Sequence, residues 1–338
     1  LRITNFKITS YWLLVTSYVF LSIFWSFDKP VAFYSALKLF EVVVLFLIVH
    51  KFQSYEVGPH KIGGPTSTIV WAFVASAVAQ SILAIAQFFT QSVFAWPFSG
   101  IASQDPSDLG VSVVQFADER WLRAYGSFPH PNLLGAFLAI ALVLLLSKLL
   151  LNPPSPSFSK GGNDLYPPFL KGERGGFFFK FQVSCFMIIF TGLFFTFSRA
   201  AWIAFFVGLI VYAIQTKAWR EKIFLQLTLL LVVIVTVLTV LFFPLVRTRI
   251  GGGSRLEIQS NQERATGYRE AVQLIKVHPF FGVGIGSYTV AVARELRPSD
   301  PAWSYQPAHN VFLLILAELG MVGFIFLLGW IWQTRKLP

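Results

Sequence analysis

Mostly apolar runs of about 17–22 residues recur along this chain, each long enough as a helix to cross a hydrocarbon core of about 30 Å. Eight are read, at roughly 11–27, 31–49, 69–89, 133–151, 181–197, 200–215, 223–243 and 310–332. With 55% apolar and only 13% charged residues among 338, the chain is too apolar for an ordinary soluble domain. Lipid cannot satisfy backbone N–H and C=O groups, and no β-barrel alternation lies between the runs. The predicted fold is therefore all-α, a polytopic transmembrane helix bundle of about eight spans forming a single domain over 1–338. The first run follows Arg2 and Lys7 like a signal peptide. No small-residue cleavage site follows Phe27, so it is read as a retained helix.

Loop charge sets the expected orientation. Lys51 and Lys61, then Lys160, Lys171, Arg174 and Lys180, then Lys217, Arg220 and Lys222, and finally Arg335 and Lys336 all fall on one side of an eight-span chain. That side is read as cytoplasmic, with both termini inside a bacterial plasma membrane. The segment 152–180 repeats Phe158-Ser-Lys160-Gly161 as Phe169-Leu-Lys171-Gly172 and is rich in Pro, Gly, Ser and Lys. It is read as a disordered cytoplasmic insert. The outer side receives loop 97–132 and the long loop 244–308. The net charge of +11 lies at span ends and in loops, which argues against nucleic acid as a partner. Cys185 lies alone in a span and reads as a small buried side chain.

Four outer-face motifs could carry chemistry. In Arg123-Ala-Tyr-Gly126-Ser-Phe-Pro-His130-Pro131-Asn132, the prolines block a helix, Asn132 is a plausible N-cap, and His130 reads as a turn residue. In Thr196-Phe-Ser198-Arg199, one span ends and the next begins, leaving a guanidinium at the membrane edge. It could snorkel to headgroups or fork onto a phosphate. Residues 262–277 read as an amphipathic helix with Ala271, Leu274 and Ile275 on one face and Arg264 and Tyr268 sharing another. It ends at His278-Pro279, and the glycines at 282, 284 and 286 read as a tight turn. The fourth motif is Gln306-Pro307-Ala308-His309-Asn310, where 65 loop residues with seven arginines and one lysine meet the last span. As the first residue of a helix, His309 would sit at the positive end of the macrodipole, which favours a neutral ring able to accept a proton. Lys38 and Glu41 read as a self-compensating pair, and Glu318 as paired with a neighbouring helix rather than with His309. Asp105 and Asp108 sit in a Ser/Pro-containing loop and do not suit a divalent ion. No metal and no cofactor are expected, and arginines would have to neutralise any pyrophosphate.

Together these residues resemble the O-antigen ligase/polymerase superfamily, the membrane glycosyltransferases of bacterial surface polysaccharide assembly. The resemblance covers about 110–332. It rests on Arg123-x-x-Gly126-x-Phe128-x-x-Pro131-Asn132, Ser198-Arg199-x-x-Trp202, Arg264-x-x-x-Tyr268-x-x-Ala271 with His278-Pro279-x-x-Gly282-x-Gly284, and His309-Asn310-x-Phe312-Leu313 with Ala317-Glu318-x-Gly320, in that order. It implies an undecaprenyl-pyrophosphate-linked glycan as donor and an acceptor sugar hydroxyl on a glycolipid or glycan. It implies that Arg123, Arg199 and Arg264, with Tyr268 and Asn310, bind substrate, and that His309 activates the hydroxyl. The implied mechanism is metal-independent and inverting. Two features depart from the pattern: Tyr268 stands where tryptophan is usual, and eight spans are read where ten to twelve are usual. The chain begins at Leu1 rather than Met, and it reads as a fragment.

Ligase and polymerase share this chemistry and differ only in acceptor. A small-anion transporter, of the bicarbonate type, is the alternative from another class. It would place ionisable residues on broken helices near mid-membrane. The charged residues within the spans read here are Lys38, Glu41 and Glu318, with Lys148 near the end of its span.

Overall fold

The computed structural model describes residues 13–54, 65–96, 101–108, 110–116, 119–151, 177–251 and 255–334. All eight apolar segments are helical. They are α1 (Leu13–Trp25), α2 (Lys29–Ser54), α3 (Pro65–Thr90), α4 (Pro131–Leu151), α5 (Phe177–Phe195), α6 (Arg199–Thr216), α7 (Lys222–Leu241) and, at the chain's end, α11 (Val311–Thr334). Among the described residues, five of the eight are long and apolar enough to cross a membrane: Thr68–Thr90, Pro131–Leu150, Arg199–Thr216, Lys222–Leu241 and Val311–Trp332. Leu13–Trp25 and Phe179–Phe195 are apolar but shorter. The chain is a largely helical membrane protein.

The segments between spans carry further elements. Loop 97–132 contains a short hairpin, β1 (Val113–Phe116) antiparallel to β2 (Glu119–Leu122), within an otherwise helical fold. The long loop 244–308 holds the expected amphipathic helix as α9 (Arg255–Val277), with α8 (Phe243–Gly251) before it and the short α10 (Tyr288–Ala291) after it. The amphipathic helix thus begins at Arg255, a turn or two before 262. Of the insert read at 152–180, residues 152–176 lie outside the described residues, and Phe177 already opens α5.

The chain divides into two compact units, Leu1–Pro59 with Ile258–Pro338, and His60–Glu257. In the second, α3, α4, α5 and α6 pack around an apolar core that includes Leu134, Leu138, Leu142, Leu145, Phe190 and Leu193. Phe88 of α3 stacks on Phe195 with ring centroids 4.2 Å apart, and Trp202 stacks on Phe194 at 5.5 Å. The α5–α6 turn is therefore rooted in aromatic contacts. Cys185 is buried there.

The first unit has a smaller core of Ala271, Leu274, Val283, Tyr288, Ala291, Val292, Ala308 and Ala317. Lys38 and Glu41 form the expected pair on α2, 3.0 Å apart. The helix α11 is broken at Gly320, which lies at φ 66° and ψ −171°, a region open essentially to glycine alone. A break frees backbone groups, and in lipid each must find a partner. The turn after α9 supplies them. Val283 N–H donates to Ala317 O (3.0 Å) and Gly284 N–H to Glu318 O (2.8 Å). In return, Met321 N–H donates to Pro279 O (2.9 Å) and Val322 N–H to Phe280 O (3.2 Å). Tyr18 Oη donates to Leu319 O at 2.6 Å. The glycines at 282, 284 and 286 do form a tight turn, with positive φ throughout, and its backbone is spliced into that of α11. Glu318 pairs not with a helix side chain but with this turn, accepting from Gly286 N–H (2.9 Å) and Tyr288 N–H (3.3 Å).

Candidate functional site

In the second unit, Arg123 is positioned by a row of glutamines that sequence reading passed over. Gln80, Gln87 and Gln91 follow at seven- and four-residue spacing on α3, which sets them on one face. Gln91 Oε1 accepts from Leu122 N–H (2.7 Å). Gln87 Oε1 accepts from Gly126 N–H (2.8 Å), and Gln80 Oε1 from Ser127 N–H (2.8 Å). Arg123 lies within this clamped segment and is only 4% exposed. Its Nε donates to Thr196 O and its Nη2 to Asn132 Oδ1, both at 2.7 Å. Asn132 is therefore not the N-cap of α4. Pro131 opens that helix, where its missing N–H costs nothing, and Asn132 Oδ1 serves the arginine instead. His130 is the turn residue expected, its Nδ1 accepting from Asn132 N–H at 3.1 Å.

Arg199 opens α6, and its Nη1 donates to Arg249 O at 3.1 Å. Arg249 Nε donates to Phe197 O at 2.9 Å. Phe197 itself has φ 46°, a strained setting for a phenylalanine. Thus Arg123, Arg199 and Arg249 surround one turn, Thr196–Arg199, and hold its carbonyls or those of one another. Arg249 was missed because it lies in a segment read as loop. Its signal was the pair Arg247-x-Arg249 directly after a span. Burial makes Arg123 more a structural bracket than a mobile clamp. Arg123→Met is expected to destabilise the unit by about 2–4 kcal/mol, since Thr196 O and Asn132 Oδ1 would lose a charged donor in a buried site. Thermal unfolding of the solubilised protein checks this, and an unchanged midpoint would remove the bracket role.

In the first unit, α9 lies alongside the approach to α11. Ala308 is 6% exposed and anchored in the core, while the neighbouring His309 is exposed. Tyr268 Oη reaches His309 O at 3.5 Å, a long contact. The helix proper starts at Val311, and Asn310 is its cap. Asn310 Oδ1 accepts from Phe312 N–H (3.0 Å) and Leu313 N–H (3.2 Å). Thus His309 stands one residue outside the helix rather than on its first turn, and Asn310 has its carbonyl oxygen engaged in capping.

His309 lines a cavity of about 280 Å³. Its α9 wall includes Gln262, Thr266, Gly267 and Glu270, and its far wall Arg297, Asp300 and Gln306. Arg264 does not line it, although Glu263 does. The structure thus brings His309 and Tyr268 together and leaves Arg264 one helical turn away. It also reveals Glu270 and Arg297, which sequence reading did not single out. Arg297 Nη1 lies 3.0 Å from Glu270 Oε1 and its Nε 3.0 Å from Asp300 Oδ2. Its Nη2 donates to Ser304 Oγ at 3.0 Å, and its guanidinium lies over the Tyr305 ring. Burial pushes the Glu270 carboxyl above its usual range, against the pull of Arg297. His278 closes α9 and pairs with Glu295 at 3.0 Å. Asp105 accepts from Ser107 N–H and Oγ, which holds its carboxyl below its usual range.

Residues 184–328 match the family described as O-antigen ligase. The matched stretch includes Arg199, Arg249, Arg264, Tyr268, His309 and Asn310 and leaves Arg123 outside. Comparison with curated proteins and with solved structures gives no significant match.

Proposed function

We propose that this chain, whose residues 184–328 match the family described as O-antigen ligase, transfers a glycan from undecaprenyl pyrophosphate to an acceptor sugar hydroxyl at the outer face of the bacterial plasma membrane. The observation that carries the reading is an exposed imidazole on the wall of a polar cavity lined by amide, hydroxyl and charged side chains. In the first unit, His309 takes the proton from the acceptor hydroxyl as its oxygen attacks the anomeric carbon. The bond from that carbon to the pyrophosphate oxygen breaks in the same displacement, which inverts the centre. General-base help of this kind contributes about 10²–10⁴ in rate. Arg264, one turn from Tyr268, binds the departing pyrophosphate in the first unit, and Arg199 is a separate candidate phosphate ligand of the second unit. Guanidinium forks stabilise the leaving group's developing charge, so no metal is invoked.

Ligase and polymerase are separated by the surface glycan of a deletion strain. Free lipid-linked polymer building up marks a ligase, and single repeat units alone mark a polymerase. Arg199→Lys is expected to lower transfer at least about tenfold, because an ammonium cannot fork onto phosphate. Full activity of that variant in the same strain would reduce Arg199 to a headgroup anchor.

Transport gains one observation, the break in α11 two residues after Glu318. The carbonyls of Ala317, Glu318 and Leu319 and both Glu318 carboxylate oxygens are already occupied by protein donors. A discontinuous helix that binds an ion presents such groups to the ion, which weighs against transport.

A further inference from the structure

We propose that Arg297 is a positioning residue for His309, fastening the strap of residues 298–307 to α9 so that the imidazole is held at a fixed angle. The proposal rests on the reading of His309 as the base and adds the residue that aims it. All of its parts lie in the first unit.

On its C-terminal side His309 is fixed by the Asn310 cap, and Ala308 before it is buried. The strap that leads there has little of its own to hold it. Residues 298–302 and 306–307 are exposed. The prolines at 298, 301 and 307 lack the N–H that regular structure would use. A segment that buries so little apolar surface cannot offset the entropy of ordering itself. Its shape must come from specific polar contacts.

Those contacts converge on one guanidinium. Arg297 Nη2 donates to Ser304 O (3.2 Å) and to Ser304 Oγ (3.0 Å). The Tyr305 ring lies against the guanidinium at 5.4 Å, and its Oη donates back to Arg297 O and Asp300 O. Ser304 N–H and Oγ both donate to Pro301 O. Residues 297–305 thus close on themselves around Arg297. An ion pair ties this loop to α9, with Arg297 Nη1 standing 3.0 Å from Glu270 Oε1. Glu270 is buried and precedes the core residue Ala271. The same helix flanks the imidazole's own backbone. Gly267 lies beside Ala308, where an added Cβ would stand 3.7 Å from its Cα, and Tyr268 Oη reaches His309 O. Strap and imidazole are therefore both referred to α9, and Arg297 sets the strap. A planar guanidinium can serve Glu270 and Ser304 at once, whereas an ammonium has no such fixed fork. Misplacing a reacting group by about 1 Å can cost about 10² in rate, so a loosened strap is felt in turnover before it is felt in packing.

Arg297→Lys tests this, because it keeps a positive charge beside Glu270 while giving up the fork. The full chain in detergent micelles is followed by hydrogen–deuterium exchange and by glycan transfer, with membrane extract of a deletion strain as the source of substrates. Peptides within 298–309 should exchange at least about tenfold faster, while peptides of α9 and of 321–334 keep the parent rate. The kcat should fall at least about tenfold, with half-saturation by the extract changed less than about twofold and the thermal midpoint unchanged. Unchanged strap exchange, or full kcat with a loosened strap, would overturn the proposal. So would a lower midpoint with faster exchange throughout the unit, which marks a merely structural pair. Tyr305→Phe removes the hydroxyl that closes the loop and leaves the Glu270 pair in place. It should loosen the strap and lower kcat in the same way, and it decides the case if Arg297→Lys does not fold. Full transfer by His309→Ala would sink the base reading and the aiming role with it, while the exchange rates, which need no transfer, still decide the fastening.

Discussion

His309→Ala is expected to lower glycan transfer by at least about 10², with the protein still present at normal levels in the membrane. The local structure explains why the two readouts should separate. Ala308 anchors this segment in the core and Asn310 caps α11, so both structural duties belong to the neighbours of His309. The imidazole itself is exposed and faces the cavity. Removing it should leave packing within about 0.5 kcal/mol of its original stability, as for surface changes elsewhere. His309→Gln is the sharper variant, since it retains hydrogen-bonding atoms but cannot take up a proton. Both are read in a deletion strain, by surface glycan on gels and by immunoblot of membranes. Normal glycan in either variant would remove His309 from the chemistry.

Gly320→Val should lower the unfolding midpoint of the solubilised protein by roughly 5–20 °C, the scale of about 2–6 kcal/mol in a unit of this size. Two costs combine. The backbone at φ 66° and ψ −171° excludes a β-branched residue, at about 1–3 kcal/mol. A Cβ at this position would lie 2.3 Å from Phe280 O and 2.6 Å from Phe281 N. Those are backbone atoms that cannot swing aside, and such overpacking costs about 1–3 kcal/mol. The four backbone hydrogen bonds joining 279–284 to α11 would be lost with them. Gly251→Ala is the control, since nothing lies within 4 Å of its added Cβ. A Gly320→Val protein that melts with the parent would show that the break is dispensable.

The helices were legible because a bilayer enforces length and apolarity directly on sequence. The span read at 200–215 is α6, Arg199–Thr216, and that read at 69–89 lies within α3, Pro65–Thr90. Errors appear where that rule lapses. The β1 and β2 strands are four residues each, too short for alternation to stand out. The proline at 244 and the charges at 247 and 249 made α8 look like loop. Among the candidate residues, His309, Arg123 and Arg199 stand out in the sequence because each lies at the edge of an apolar run, where a polar residue needs an explanation. Glu270 looked like one more charge on an amphipathic helix, and nothing in spacing ties it to Arg297. The glycine turn was readable as a turn. That its partner is the backbone of α11 was not, because backbone pairing leaves no mark on side-chain identity. The glutamines of α3 carried a readable mark, three amides on one stripe of an apolar helix.

The splice at Gly320 also bears on how the last helix comes to be. A peptide spanning only 311–334 has every reason to be one unbroken rod, since its own carbonyls and amides would serve each other across residue 320. The bend is imposed from outside, by a hairpin-like graft of Pro279–Gly284. The two halves of that rod are thus articulated at a joint whose pin belongs to another part of the chain. Because His309 immediately precedes the Asn310 cap of that rod, whatever shifts the graft will re-aim the imidazole.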